Sequence, residues 1–310
     1  MSIIEKAVNK LSRTEPAFVA PPPQTPAPDS PIELAVRAPE AAQHAAPEEK
    51  SVPQAAVRPA QPTDSGAPAQ SINRAKLKKM GLVTPDGERS QIAEEFRLIK
   101  RPLLMNAFGQ GAAPIRNGNL IMVTSSLPGE GKSFCAINLA ISIAMEMDRT
   151  VLLVDADVAK PRLPHYLGLH AERGLLDVLR DEQLGLADVL IKTDIDNLTV
   201  LPAGRTYRQA TELLASEAMN SLIRDIQNRY PDRIVIFDSP PLLATSEAGV
   251  LAAHMGQIVM VVEAEKTPQA ALKEALAQIE SCEVIGMVLN KTTALPGTNY
   301  YYGNYGGYGG

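Results

Sequence analysis

The chain has 310 residues and a net charge of −5, from 30 Lys and Arg against 35 Asp and Glu. That length allows one large domain with appendages, or two domains. The acidic balance gives no global reason to expect nucleic-acid binding. No apolar stretch reaches the roughly 18 residues that cross a bilayer, and the N-terminus carries no signal-peptide core, so the sequence reads as cytoplasmic.

In chain order, residues 1–13 place Ile3, Ile4, Ala7, Val8 and Leu11 at helical spacing. A helix this short is marginal alone; it is either a docking helix for a partner or membrane surface, or a frayed terminus. Residues 14–72 hold thirteen of the chain's 25 prolines and a single aromatic, Phe18. Such a stretch cannot bury enough apolar area to offset its ordering entropy and is expected to be a disordered linker. Arg74, Lys76, Lys78 and Lys79 follow as a small basic cluster, either a solvated run or a face for anionic lipid or an acidic partner. Residues 91–108 read as a helix. Glu94, Arg97 and Lys100 fall three apart on it, a spacing that fits ion pairs within the helix or a contact between subunits.

The apolar run 120–124 reads as a buried strand and leads into Ser126-Leu127-Pro128-Gly129-Glu130-Gly131-Lys132-Ser133, then Phe134 and an apolar helix to about residue 147. Strand, glycine loop, Lys-Ser and helix form the context of a phosphate-binding P-loop, although Ser126 stands where the pattern has its first glycine. The loop amides and helix N-terminus suit phosphate oxygens. Lys132 is placed for the β- and γ-phosphates of ATP and Ser133 for Mg²⁺. Cys135 on this helix and the distant Cys282 form no metal-ligand spacing and read as small buried apolar groups.

A second buried strand, 150–154, ends in Asp155-Ala156-Asp157. Carboxylates at the C-terminal edge of an open α/β sheet sit where ligands bind, and beside a phosphate loop they suggest Mg²⁺ and a general base. Residues 174–190 give a helix and loop, 197–201 a strand and 211–230 a long amphipathic helix. A third buried strand, 233–237, ends in Asp238-Ser239-Pro240-Pro241, an acid placed to order the Mg²⁺ shell before a proline-stiffened loop. Glu247 beyond it is either a nucleotide sensor or a surface acid. Strand 257–262, helix 267–281 and strand 283–289 follow. Asn290 then reads an adenine edge or simply ends a strand. The alternation predicts an α/β fold with a doubly wound, mostly parallel sheet of the partitioning-ATPase-like P-loop class.

Five of the eight tyrosines fall in the last eleven residues, Tyr300, Tyr301, Tyr302, Tyr305 and Tyr308, spaced by glycine. A flexible phosphoacceptor tail is the favoured reading. A base-stacking platform would want cations to track phosphates, and the tail has none.

The P-loop at 125–133, the Asp155/Asp157 strand end with Lys160-Pro161, Asp238-Ser239-Pro240-Pro241 and the tyrosine tail together resemble bacterial tyrosine autokinases of exopolysaccharide systems. The similarity is greatest to the cytoplasmic type associated with exosortase clusters and covers roughly residues 75–310. It implies a kinase domain at 73–295 and a phosphoacceptor tail at 296–310. It also implies ATP and Mg²⁺ as cofactors, with Asp155 and Asp157 handling Mg²⁺ and activating the tyrosine hydroxyl. Lys132 and Asp238 complete the expected catalytic set. Residues 128–134 and Asn290 are the expected nucleotide contacts; Ser133, Asp155 and Asp238 are the expected metal contacts. The family's Glu-x-x-Arg-x-x-Arg interface motif matches Glu94, Arg97 and Lys100, implying a homo-oligomeric ring. A membrane chain-length-determinant protein is the implied partner, which would hold the chain at the inner membrane peripherally. Two positions depart from the pattern: Ala159 replaces an arginine, and Lys100 lacks the forked geometry of one. The rival readings are a positioning-type switch ATPase and a catalytically weak adaptor. Switch ATPases carry an early P-loop lysine where Leu127 stands here.

Overall fold

The computed structural model describes residues 68–292 apart from 88–89, 110–113 and 230–231. The expected terminal helix, nearly all of the linker and the tyrosine tail lie outside the described residues. Seven strands form one sheet: β1 (Leu120–Ser125), β2 (Thr150–Asp155), β3 (Ile191–Lys192), β4 (Leu198–Leu201), β5 (Arg233–Asp238), β6 (Gln257–Glu263) and β7 (Val284–Asn290). Their order is β3-β4-β2-β5-β1-β6-β7, and every pairing is parallel except β3 with β4. The expected mostly parallel, doubly wound sheet is therefore present.

The helices are α1 (Arg74–Lys79), α2 (Gln91–Ala107), α3 (Lys132–Ala144), α4 (Leu163–Leu167), α5 (Leu175–Arg180), α6 (Ala210–Leu214), α7 (Glu217–Arg229), α8 (Ser246–Ala252) and α9 (Gln269–Ala277). They cover both faces. Leu120 and Met122 of β1 point into one core layer with α5 to α9, and Ile121 and Val123 point into the other with α1 to α3. Strands buried on both faces read as continuous apolar runs, which is why β1, β2 and β5 are visible as such in the sequence. Each buried Leu, Ile or Val side chain contributes roughly 1.5–3 kcal/mol, so the central strands are the stiffest part of the site's frame.

Three segments differ from the pattern read in the sequence. The helix expected over 211–230 is two helices, because Ser216 intervenes: its hydroxyl donates to Leu213 O (2.7 Å) and accepts from Met219 N (3.4 Å). The basic cluster at 74–79 is helix α1, capped by Asn73 and anchored by the fully buried Leu77. Arg74 pairs with Asp86, and Lys76 donates to His165 O. On the linker side of the expected boundary at 72/73, Ile72 N donates to Asp194 Oδ1 (2.8 Å) and Gln70 bridges to Thr193, fastening the chain beside β3.

Candidate active site

The site is built at the C-terminal ends of β1, β2 and β5. The loop after β1 turns on Gly129 and Gly131, whose φ angles of 91° and 100° lie where a side chain is strained. Gly131 is also the N-cap of α3, with no side chain bonded across the helix end. The first N–H groups of α3 thus stay available for an anion, and the helix dipole favours one there. A Cβ at Gly131 would stand 2.0 Å from Asn290 Nδ2, so only glycine fits.

The back of the loop is tied down. Glu130 is 2% exposed. Its carboxylate accepts from Leu127 N at 2.6 Å and from the Thr267 hydroxyl. Asn290 Nδ2 donates to Glu130 O (2.8 Å), and Lys291 Nζ donates to Gly129 O (2.7 Å) while pairing with Glu263 at 3.1 Å. Asn290, expected as a nucleotide contact, therefore directs its amide hydrogens to the loop backbone in this structure. Thr267 and Lys291 were not expected here; the only sequence signal for them is their position just after a strand on the ligand edge.

The acids come together through strand register. β2 and β5 pair in parallel with Asp155 opposite Asp238, so two strand-end carboxylates stand side by side. Burial first and the neighbouring Asp238 second raise Asp155 to about 7, against the amides of Leu163 and Arg162 that it accepts from. Those two bonds, 2.9 and 3.0 Å, use Oδ2 alone; the buried Oδ1 has no hydrogen-bond partner. Burial likewise raises Asp238 to about 6, moderated by Lys132 and by the Ser133 hydroxyl bonded to it. Its Oδ1 is also without a partner, as is the buried Ser126 hydroxyl.

Asp157 is partnered at both carboxylate oxygens. Its Oδ2 accepts from Lys132 Nζ at 2.8 Å and its Oδ1 from Lys160 N at 3.1 Å. Buried polar atoms without partners are costly, and two such carboxylate oxygens next to a hydroxyl are what a hard cation takes from a protein when phosphate oxygens and water supply its other ligands. No group of three or more His, Cys, Asp or Glu able to hold a metal alone exists among the described residues.

Beside Lys132 and Ser133 opens a cavity of about 340 Å³ between the P-loop, the 157–166 segment and the 240–245 loop. Arg162 and Tyr166 line it and were not expected to; Ala159 also faces it. Phe134, Pro128 and Gly129 line it as well. Glu247 sits in the first turn of α8, half-buried.

The expected interface trio is divided. Glu94 and Arg97 pair with each other, each about 40% exposed. Lys100 is 7% exposed and sends its ammonium inward to Ser142 O (2.6 Å) and to Glu146. The five tail tyrosines lie outside the described residues.

The AAA domain family AAA_31 matches residues 118–290. Tyrosine-protein kinase YwqD of Bacillus subtilis (strain 168) is 31% identical over 235 residues, covering 74% of this chain and 94% of YwqD. Succinoglycan biosynthesis transport protein ExoP of Rhizobium meliloti (strain 1021) is 32% identical over 70% of this chain, which spans only 27% of ExoP. The chain spans a similar quarter of other long curated relatives. Among solved structures, the chimerical protein CapA2B2 superposes with a TM-score of 0.56 at 26% identity, covering 69% of this chain and 97% of that one.

Proposed function

The chain belongs to the bacterial tyrosine-kinase family of P-loop proteins, and from that premise we propose that it is an ATP-dependent autokinase acting on its own C-terminal tyrosines. The observation that carries the reading is the in-register pair Asp155 and Asp238, each with an unpartnered buried oxygen, beside an open helix N-terminus and Lys132. The P-loop amides and Lys132 would hold the ATP phosphates, and Ser133 and Asp238 would hold Mg²⁺, with Asp155 in its surroundings. Bound there, Mg²⁺ would neutralise charge on the β- and γ-oxygens.

The transfer needs a proton acceptor, because a free tyrosine has a pKa of about 10. Asp155 is the first candidate: its value of about 7 suits a base working near neutrality, and Oδ1 is unused. Asp157, engaged by Lys132 and Lys160 N, is the second. As the phenolic oxygen bonds to the γ-phosphorus, its proton passes to the carboxylate and the bond to the β-phosphate oxygen breaks, releasing ADP. Acceptors at Tyr300, Tyr301, Tyr302, Tyr305 and Tyr308 would each gain about −1.5 to −2 charge and be repelled from the acid-lined site.

The name of one relative, a succinoglycan biosynthesis transport protein, supports a role in exopolysaccharide production; a membrane chain-length protein is the proposed partner. No described helix is long and apolar enough to cross a membrane, which suits attachment to the inner membrane through that partner. Glu94, Arg97 and Lys100 are the proposed ring contact. With Lys100 turned inward, Glu94 and Arg97 would carry its exposed part.

Tandem mass spectrometry after incubation with Mg-ATP tests the activity. Phosphotyrosine within residues 300–308, lost in Lys132→Met, is the expected result; steady ATP hydrolysis with an unlabelled tail, with or without the membrane partner, overturns it.

A further inference from the structure

The cavity beside Lys132 has two chemically different walls. One is ionic, with Lys132, Asp157 and Arg162. The other is apolar, with Met80, Leu82, Phe134 and Ile137. A triphosphate has no use for the second wall. That wall is also not incidental packing. Met80 and Leu82 come from the turn after α1, which is fixed to α3 by a buried bond from Val83 N to Asn138 Oδ1 (2.7 Å). Asn138 is itself held by its own donation to Phe134 O (3.0 Å). The chain thus carries a segment preceding the sheet back to the first turns of the P-loop helix and holds an apolar surface there, half open at Met80 and Phe134.

A phenol already rests in this chamber. Tyr166 lines it, half-buried, with its hydroxyl hydrogen bonded to the Arg162 guanidinium. A ring against the apolar side with its oxygen toward the charged side is the arrangement an amphipathic aromatic group seeks.

We propose that the wall formed by Met80, Leu82, Phe134 and Ile137 is the seat for the aromatic ring of the incoming acceptor tyrosine, which it holds beside Lys132 and Asp157. This rests on the kinase reading above and adds the acceptor's binding site to it. The occupant is a tyrosine of residues 300–308. The described residues end at 292, next to Lys291, whose ammonium is on the P-loop at Gly129 O, and residues 300–308 follow within sixteen positions in the sequence. The adenine base, the other flat ring available, is the alternative outcome of the test. Asn290, the residue expected to read it, does not line this cavity.

The test uses the full-length chain, a synthetic peptide of residues 296–310 as acceptor in trans, and a fluorescent ATP analogue for nucleotide affinity. Met80→Ser is expected to raise the KM for the peptide about tenfold while leaving affinity for the ATP analogue within about twofold, and Met80→Leu is expected to restore the wild-type KM. A peptide with every tyrosine replaced by phenylalanine competes with the acceptor, and one with serine in their place does not. An unchanged peptide KM in Met80→Ser, or equal competition by the two peptides, overturns the seat. Weakened ATP-analogue binding with an unchanged peptide KM assigns the wall to the base and also overturns it. If the wild type labels neither peptide nor tail, the kinase reading falls and takes the seat with it; if labelling is robust but indifferent to Met80, only the seat falls.

Discussion

The two ends of α3 are treated in opposite ways. At its C-terminus the exposed carbonyls are closed off: Lys100 donates to Ser142 O, and Asn197 reaches Ala144 O and Glu146 O at 3.4 Å. At its N-terminus nothing on the helix itself caps the amides, and the nearest cation, Lys132, is held by Asp157. Both ends carry a lysine of low exposure. One ammonium completes the fold, whereas the other is paired with a single carboxylate it can leave. A helix end that is finished internally stabilises; a helix end left unfinished binds.

The contrast is sharpened most by removing each lysine in turn. Lys132→Met should lower tail phosphorylation by about 10³-fold or more with little change in the urea unfolding midpoint, read by mass spectrometry and circular dichroism. Lys100→Met should do the reverse. It leaves Ser142 O without its donor and should cost about 2 kcal/mol of stability, seen as a lower urea midpoint, while phosphorylation per folded molecule persists. A fully stable Lys100→Met protein would break the comparison.

The acids at the open end give a pH signature. The fold raises Asp155 from 3.8 to about 7, so its protonated form is the one favoured by folding. Its contribution to stability is complete below about pH 4 and is lost as pH rises through about 7. For the nucleotide-free chain, calorimetry should show Asp155→Asn melting about 5 °C higher relative to wild type at pH 7.5 than at pH 5. A pH-independent gap would mean that the carboxyl is not held against ionisation. The smallest effect belongs to the back of the loop. Asn290→Ala removes the bond to Glu130 O and should raise the KM for ATP by about three- to fivefold with the phosphorylation sites unchanged.

Much of this was legible in the sequence, and for a physical reason. Doubly buried strands need unbroken apolar runs, and a phosphate loop needs its glycines and lysine within eight residues, so β1, β2, β5 and the P-loop announce themselves locally. What was not legible depends on pairing across distance. The sequence offers Asp155 and Asp238 as two strand ends, but only the register of β2 with β5 makes them neighbours. Lys100 looked like a surface cation because its partners, Ser142 and Glu146, lie on another helix and just past its end. The break at Ser216 hid in an amphipathic pattern that continues across it. The apolar wall of the cavity was invisible for the same reason, since a whole helix and a strand separate Met80 from Phe134.

The bond from Lys291 to Gly129 O and that from Asn290 to Glu130 O have one more consequence. Strand β7 ends in two side chains that hold the carbonyls of the phosphate loop, with no flexible segment between. A force applied along that strand is delivered to the loop within two hydrogen bonds. Grip on nucleotide and mechanical load at the strand's end are thereby coupled, and whatever pulls on one must be felt by the other.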